Sequence, residues 1–173
     1  ILLGIQFPVT PVQLLWINMI TAVTLSLSLA FLPGDDAGMA KPPRDPQEPL
    51  LSGFLVWRVV LVSVLMVVAA LWVFWGELER GGELAAARTG AVNMIVMGEI
   101  VYLLNSRYLY RNILSPQALL GNRPAWISIG LIIPFQLAFT CWGPMQQLFG
   151  TTAISAIAWR NIFLAGLGML LLI

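Results

Sequence analysis

Histidine is absent from this chain, cysteine occurs once, and charged residues make up only 10% of it. The missing histidine removes the commonest proton shuttle and transition-metal ligand available near neutral pH. The single cysteine, Cys141, excludes an internal disulfide and is too little for a metal cluster. A net charge of +1 offers nothing to a polyanion, so no nucleic-acid partner is expected. There is no glycine-rich phosphate loop, no nucleophile elbow and no His-Glu-x-x-His. No catalytic residue and no cofactor are therefore expected here, and nothing in the chain could hydrolyse a nucleotide unaided. The chain begins at Ile1 without a basic flank, so its apolar start reads as an internal cut and not as a signal peptide.

Apolar residues are what fill the chain. They make up 59% of it, against about 45–50% in ordinary soluble domains, where charged residues approach about 25%. A soluble protein this apolar would have too little polar surface to cover itself. A helical crossing of a bilayer core takes about 20 mostly apolar residues. Five stretches qualify, at about 12–32, 54–75, 89–107, 125–143 and 157–173. The expected fold is all-α, a polytopic membrane helix bundle of about five transmembrane helices, with the lipid bilayer as its solvent. The third stretch is the weakest, because it holds Asn93, Glu99 and Asn105. Residues 1–11, broken by Gly4, Pro8 and Pro11, are too short to span.

Orientation follows from the basic residues, which favour the cytoplasmic side. Lys41, Arg44, Arg107, Arg111 and Arg123 fall on one side; Arg80 and Arg88 fall on the other. The N-terminal end is thus expected outside and the C-terminal end in the cytoplasm. Arg58 and Arg160, near span ends, are expected to snorkel to the interface. Trp57, Trp72, Trp75, Trp126, Trp142 and Trp159 are placed as an aromatic belt would place them. Pro134 should kink the fourth span. No inverted repeat is visible, which argues against a secondary transporter.

Glu99 is the only acidic residue inside an expected span. A carboxylate in hydrocarbon costs at least about 2.5 kcal/mol even on lenient insertion scales, so it turns inward and marks a site by default. Tyr102 and Ser106 share its face, and Gly98 beside it lets a neighbouring helix approach. Asn18 and Thr21 share a face of the first span, and Thr24 and Ser28 continue the stripe. Amide and hydroxyl oxygens are hard neutral ligands for Na⁺, K⁺, Ca²⁺ or Mg²⁺, and a carboxylate adds charge. A cation site between two helices could use Asn18, Thr21 and Glu99. The plainer reading makes Glu99 inter-helix glue, and Thr24, Ser26 and Ser28 ordinary packing residues. The 33–50 loop holds five prolines, at 33, 42, 43, 46 and 49, and should be extended and stiff.

Two stretches together carry a resemblance. One is Pro11-Val12-Gln13-Leu14-Leu15-Trp16-Ile17-Asn18 through Thr21, followed by Pro42-Pro43-Arg44-Asp45-Pro46-Gln47-Glu48-Pro49-Leu50. The other is Glu99-Ile100-Val101-Tyr102-Leu103-Leu104-Asn105-Ser106. They resemble the sixth and eighth membrane helices of P-type cation-transporting ATPases of the calcium and sodium-potassium pump type, in a bacterial branch. The resemblance covers nearly the whole chain and implies that residues 1–173 are a C-terminal transmembrane domain, its spans similar to helices six to ten. It implies that Asn18, Thr21 and Glu99 bind the transported cation. Where those pumps place an Asp after the Thr, this chain has Ala22. One carboxylate fewer weakens divalent binding, so two Ca²⁺ ions fit poorly, while a single cation or a polyamine stays open.

The resemblance further implies a parent that works through an aspartyl phosphate and uses ATP and Mg²⁺. Its partners would be the remaining helices, the cytoplasmic domains and the cation, in a bacterial plasma (inner) membrane. The alternative is a non-catalytic membrane scaffold or helper subunit, with Glu99 as glue.

Overall fold

The computed structural model describes residues 6–30, 53–106 and 123–173, with side chains at 6–23, 53–105 and 126–173. The 33–50 loop and the basic residues at 107 and 111, like the side chains of Thr24, Ser26, Ser28, Ser106 and Arg123, lie outside what is described. Among the described residues there are six helices and no strand: α1 (Pro11–Ala30), α2 (Gly53–Glu79), α3 (Leu84–Ser106), α4 (Arg123–Cys141), α5 (Gly143–Phe149) and α6 (Ala156–Leu172).

Local chemistry sets the helix ends. Thr10 and Gln13 form a reciprocal cap at the start of α1. The Thr10 hydroxyl accepts from the Gln13 N–H at 3.3 Å, and Gln13 Oε1 accepts from the Thr10 N–H at 3.1 Å. Pro11 follows at the first helical position, where its missing N–H costs nothing. Between α2 and α3 the expected loop at 76–88 shrinks to residues 80–83. Gly81, at φ 78°, ends α2; its N–H donates to Leu78 O, and that of Gly82 to Glu77 O. Only a residue without Cβ adopts that φ freely. At the start of α6 the Ser155 hydroxyl accepts from the Ala158 N–H and donates to Glu77 Oε1 at 2.8 Å.

The helices alternate in direction. Arg88 Nε donates to Phe7 O, Gln13 Nε2 to Phe149 O, and the Thr152 N–H to Thr89 Oγ1. With the Ser155–Glu77 bond, these join the starts of α1, α3 and α6 to the finishes of α2 and α5 at one end of the bundle. Residues 6–11, 80–83 and 150–155 therefore share a side.

α3 lies between two apolar clusters. Ala70, Val73, Met94, Val101, Ala158, Ile162 and Met169 join it to α2 and α6. Trp16, Ile17, Ile20, Val92, Val96, Ile132 and Phe139 join it to α1 and α4. More than half of its apolar stretch is enclosed by protein, against under a quarter of that of α2. The least apolar stretch can thus be a membrane helix because its polar residues face protein. Lipid is as apolar as a side chain, so close packing and hydrogen bonds hold such a bundle more than apolar burial does. Glycines supply the packing, as expected at Gly98. A methyl group there would lie 3.0 Å from Met66 Cε, and one on Gly166 would lie 2.8 Å from Met97 Cγ.

α2 and α3 are each long and apolar enough to cross a bilayer. A third crossing is counted when Trp126–Cys141 and Gly143–Phe149 are taken as one span bent by 78°. Pro134 lies inside α4, which continues past it. A sharp bend falls at Trp142, where Gly143 and Pro144 start a new helix. Arg58 departs from expectation. It is buried, and Nη2 donates to the Asn105 carbonyl at 3.3 Å, near the negative end of α3, instead of reaching for the interface.

Candidate cation site in the membrane

Thr21 and Glu99 meet. The Thr21 hydroxyl lies 2.6 Å from Glu99 Oε1 and 2.8 Å from the Ile17 carbonyl one turn back on α1. The two residues are 78 positions apart in the chain and on different helices. α1 brings Thr21 inward because Gln13, Trp16, Ile17 and Ile20 form its buried face. Glu99 Oε2 is buried with no hydrogen-bond partner among the described residues. An unsatisfied oxygen in such surroundings is costly and calls for a ligand or a further polar group. Both residues line a cavity of about 240 Å³, shared with Val62, Ser63, Met66 and Tyr102. Tyr102 thus lies on the Glu99 side of α3, as its spacing predicts.

Asn18 is not brought to this contact. It is exposed, with Ala22 one turn on, along the face of α1 that also carries Leu15 and Met19. Met19, at the edge of that face, lines a cavity with Leu131, Ile132 and Phe135 of α4, but Asn18 lines neither that cavity nor the one at Glu99. Of the three expected ligands, the fold joins Thr21 and Glu99 and leaves Asn18 on the open side. No group of three or more acidic, cysteine or histidine side chains gathers among the described residues, so any ion held here would depend on neutral oxygens around one carboxylate.

A second polar group escaped the sequence reading. The Trp16 indole N–H donates to Gln136 Oε1 at 3.2 Å, and Gln136 Nε2 donates to Asn93 Oδ1 at 3.1 Å. Asn93 Nδ2 in turn donates to the Thr89 carbonyl at 2.8 Å and to Thr140 Oγ1 at 3.0 Å. Trp16, Gln136, Asn93 and Thr140 are all buried. Trp16 also stacks on Phe139 and meets Phe149 edge-on, at 5.3 and 5.1 Å between ring centres. The available signal was the polar Asn93, Gln136 and Thr140 inside apolar stretches. Trp16 gave none, since a tryptophan near a span end is ordinary.

Fold and site define a membrane helix bundle with a carboxylate in its interior. The family described as cation transporting ATPase, C-terminus, matches residues 6–173, and the chain belongs to it. The chain is 42% identical, over 94% of its length, to a probable cation-transporting ATPase F of Mycobacterium tuberculosis. It is 30% identical over 92% of its length to the cation-transporting ATPase pma1 of a Synechocystis strain. It is 28% identical over 96% of its length to the human calcium-transporting ATPase type 2C member 1. It spans 18% of the length of each of these relatives. The expected resemblance to P-type cation pumps is thereby established, and the chain is an integral membrane one.

Proposed function

We propose that this chain is the C-terminal membrane domain of an ATP-driven cation pump and supplies part of the intramembrane cation site. The observation that carries this reading is the Thr21–Glu99 contact, with its unpartnered carboxylate oxygen beside a cavity. Thr21 and Glu99 furnish the inner ligands from α1 and α3. Asn18 joins from the open face of α1, where the remaining helices of the pump would close the site. α1, α2, α3, the bent α4–α5 pair and α6 make five crossings, with the N-terminal end outside and the C-terminal end in the cytoplasm of a bacterial plasma membrane. ATP, Mg²⁺ and the phosphorylated aspartate belong to the rest of the pump.

Ala22 shapes the expected cargo. Without a carboxylate there, Glu99 is the only acidic ligand that α1 and α3 supply, which suits one cation and not a pair of Ca²⁺ ions. The test is ATPase activity of the full-length pump across Ca²⁺, Mg²⁺, Mn²⁺, Na⁺, K⁺ and spermidine, with Glu99→Gln, Thr21→Val and Ala22→Asp alongside. One cation should stimulate the wild type. Glu99→Gln should raise its half-activating concentration on the order of tenfold or more. Unchanged cation dependence in both Glu99→Gln and Thr21→Val would return Glu99 to a role as inter-helix glue.

A further inference from the structure

We infer that Trp16, Gln136 and Asn93 form a positioning relay that holds α1 on α3 in the register at which Thr21 meets Glu99. The inference rests on the cation-site reading above.

The two amides of the relay can be arranged in one way only, while the Thr140 hydroxyl can turn to the Gln136 carbonyl or to Asn93 Oδ1. The Trp16 indole N–H can only donate, so Gln136 must turn its oxygen toward it. That leaves the Gln136 NH₂ for Asn93 Oδ1. The Asn93 NH₂ then faces the Thr89 carbonyl, which can only accept, and the Thr140 hydroxyl. The Thr140 hydroxyl lies 2.9 Å from the Gln136 carbonyl, which completes the set on α4. A donor-only group at one end and an acceptor-only group at the other fix both amides between them. α1 and α3 are thereby tied through α4 by directional bonds.

The apolar contacts between α1 and α3, through Ile17, Ile20, Val92 and Val96, are non-directional and hold register only through the fit of their side chains. The two helices start at the same end of the bundle and so run in the same direction. From Trp16 to Thr21 is five residues, a rise of about 7.5 Å; from Asn93 to Glu99 is six, a rise of about 9 Å. Relay and cation site are thus two rungs at nearly matched heights on parallel helices. Moving α1 by one residue would turn Thr21 by about 100° away from Glu99, and it would break the Trp16–Gln136 bond as well. The hydrogen bonds of the relay run to neither Thr21 nor Glu99; its residues act through the helices that carry them.

The experiment titrates the ATPase of the full-length pump with Ca²⁺, and with Mn²⁺ and Na⁺ in parallel. Gln136→Met keeps the volume and deletes both amide bonds. It should raise the half-activating cation concentration about tenfold or more, the order expected for losing two buried hydrogen bonds, with the maximal rate changed less than about twofold, a removal of uniform binding. Added to Thr21→Val it should shift that concentration little further, because both act on one contact. Trp16→Phe keeps a ring against Phe139 and Phe149 and removes the N–H. It carries the same test if Gln136→Met fails to fold.

Two results would overturn the relay. One is a lower maximal rate with unchanged half-activating concentration. The other is full additivity with Thr21→Val. If Thr21→Val and Glu99→Gln themselves leave cation activation untouched, the site reading fails first and the relay's role falls with it.

Discussion

At the scale of single residues, glycines divide by what stands next to them. Gly166 and Gly168 sit two positions apart on α6, yet a methyl group on Gly166 would meet Met97 at 2.8 Å while one on Gly168 would meet nothing within 4 Å. Gly166→Val should therefore lower the unfolding temperature of the domain in detergent, by overpacking worth about 1–3 kcal/mol. Gly168→Ala should leave it unchanged or raise it, since alanine is the better helix former by about 1 kcal/mol. Equal effects from the two would remove the claim that Gly166 is where α6 closes on α3. The sequence could not separate this pair, because both glycines lie in one apolar stretch. It could single out Glu99, because a carboxylate in hydrocarbon is costly wherever it lands. It could not see Trp16 turning inward while Trp57, Trp72, Trp75, Trp126 and Trp142 stay exposed, since every one of them lies near a span end. Nor could it see Arg58 buried on the Asn105 carbonyl, since a long cationic side chain near a helix end has an interface within reach.

At the scale of the elements, the ends of helices do more than stop them. Gln13 caps α1 through the Thr10 N–H and uses its other amide group on the Phe149 carbonyl of α5. Gln13→Leu should cost more than an exposed cap residue, for which about 1 kcal/mol is usual, because it also strands a carbonyl at a packed contact. Thr10→Ala should cost only the cap. Chemical denaturation of the purified domain in detergent checks the order, and a larger effect at Thr10 would refute it. The five longer helices were legible from apolar run length; the short α5 was not, since all but its first residue falls beyond the five stretches. Nor were the junctions. The α2–α3 connection is four residues because Gly81 turns the chain at φ 78° and Glu77 anchors both the Arg80 side chain and Ser155. The Ser155 partnership is not visible until α6 is in place. The bend at Trp142 had a signal in Gly143-Pro144, but a turn there and a new helix there look alike in sequence.

At the scale of the whole molecule, helix ends gather residues 6–11, 80–83 and 150–155 on one side, the side proposed to be external. Cys141, the chain's one cysteine, is exposed at the end of α4 near that side. In cells expressing the pump with its other cysteines replaced, a membrane-impermeant maleimide should label Cys141 from outside. Labelling from the cytoplasmic side alone would invert the proposed orientation. The four-residue link between α2 and α3 bears on how the chain is made. α3 carries Asn93, Glu99 and Asn105 and is a poor candidate to leave a translocation channel for lipid by itself. Tied so closely to the far more apolar α2 and packed along it, α3 should enter the bilayer as the second arm of a hairpin. A destabilised α2 should therefore be felt first as an insertion defect in α3, and the Glu99 carboxylate would leave the bundle before any helix had unfolded.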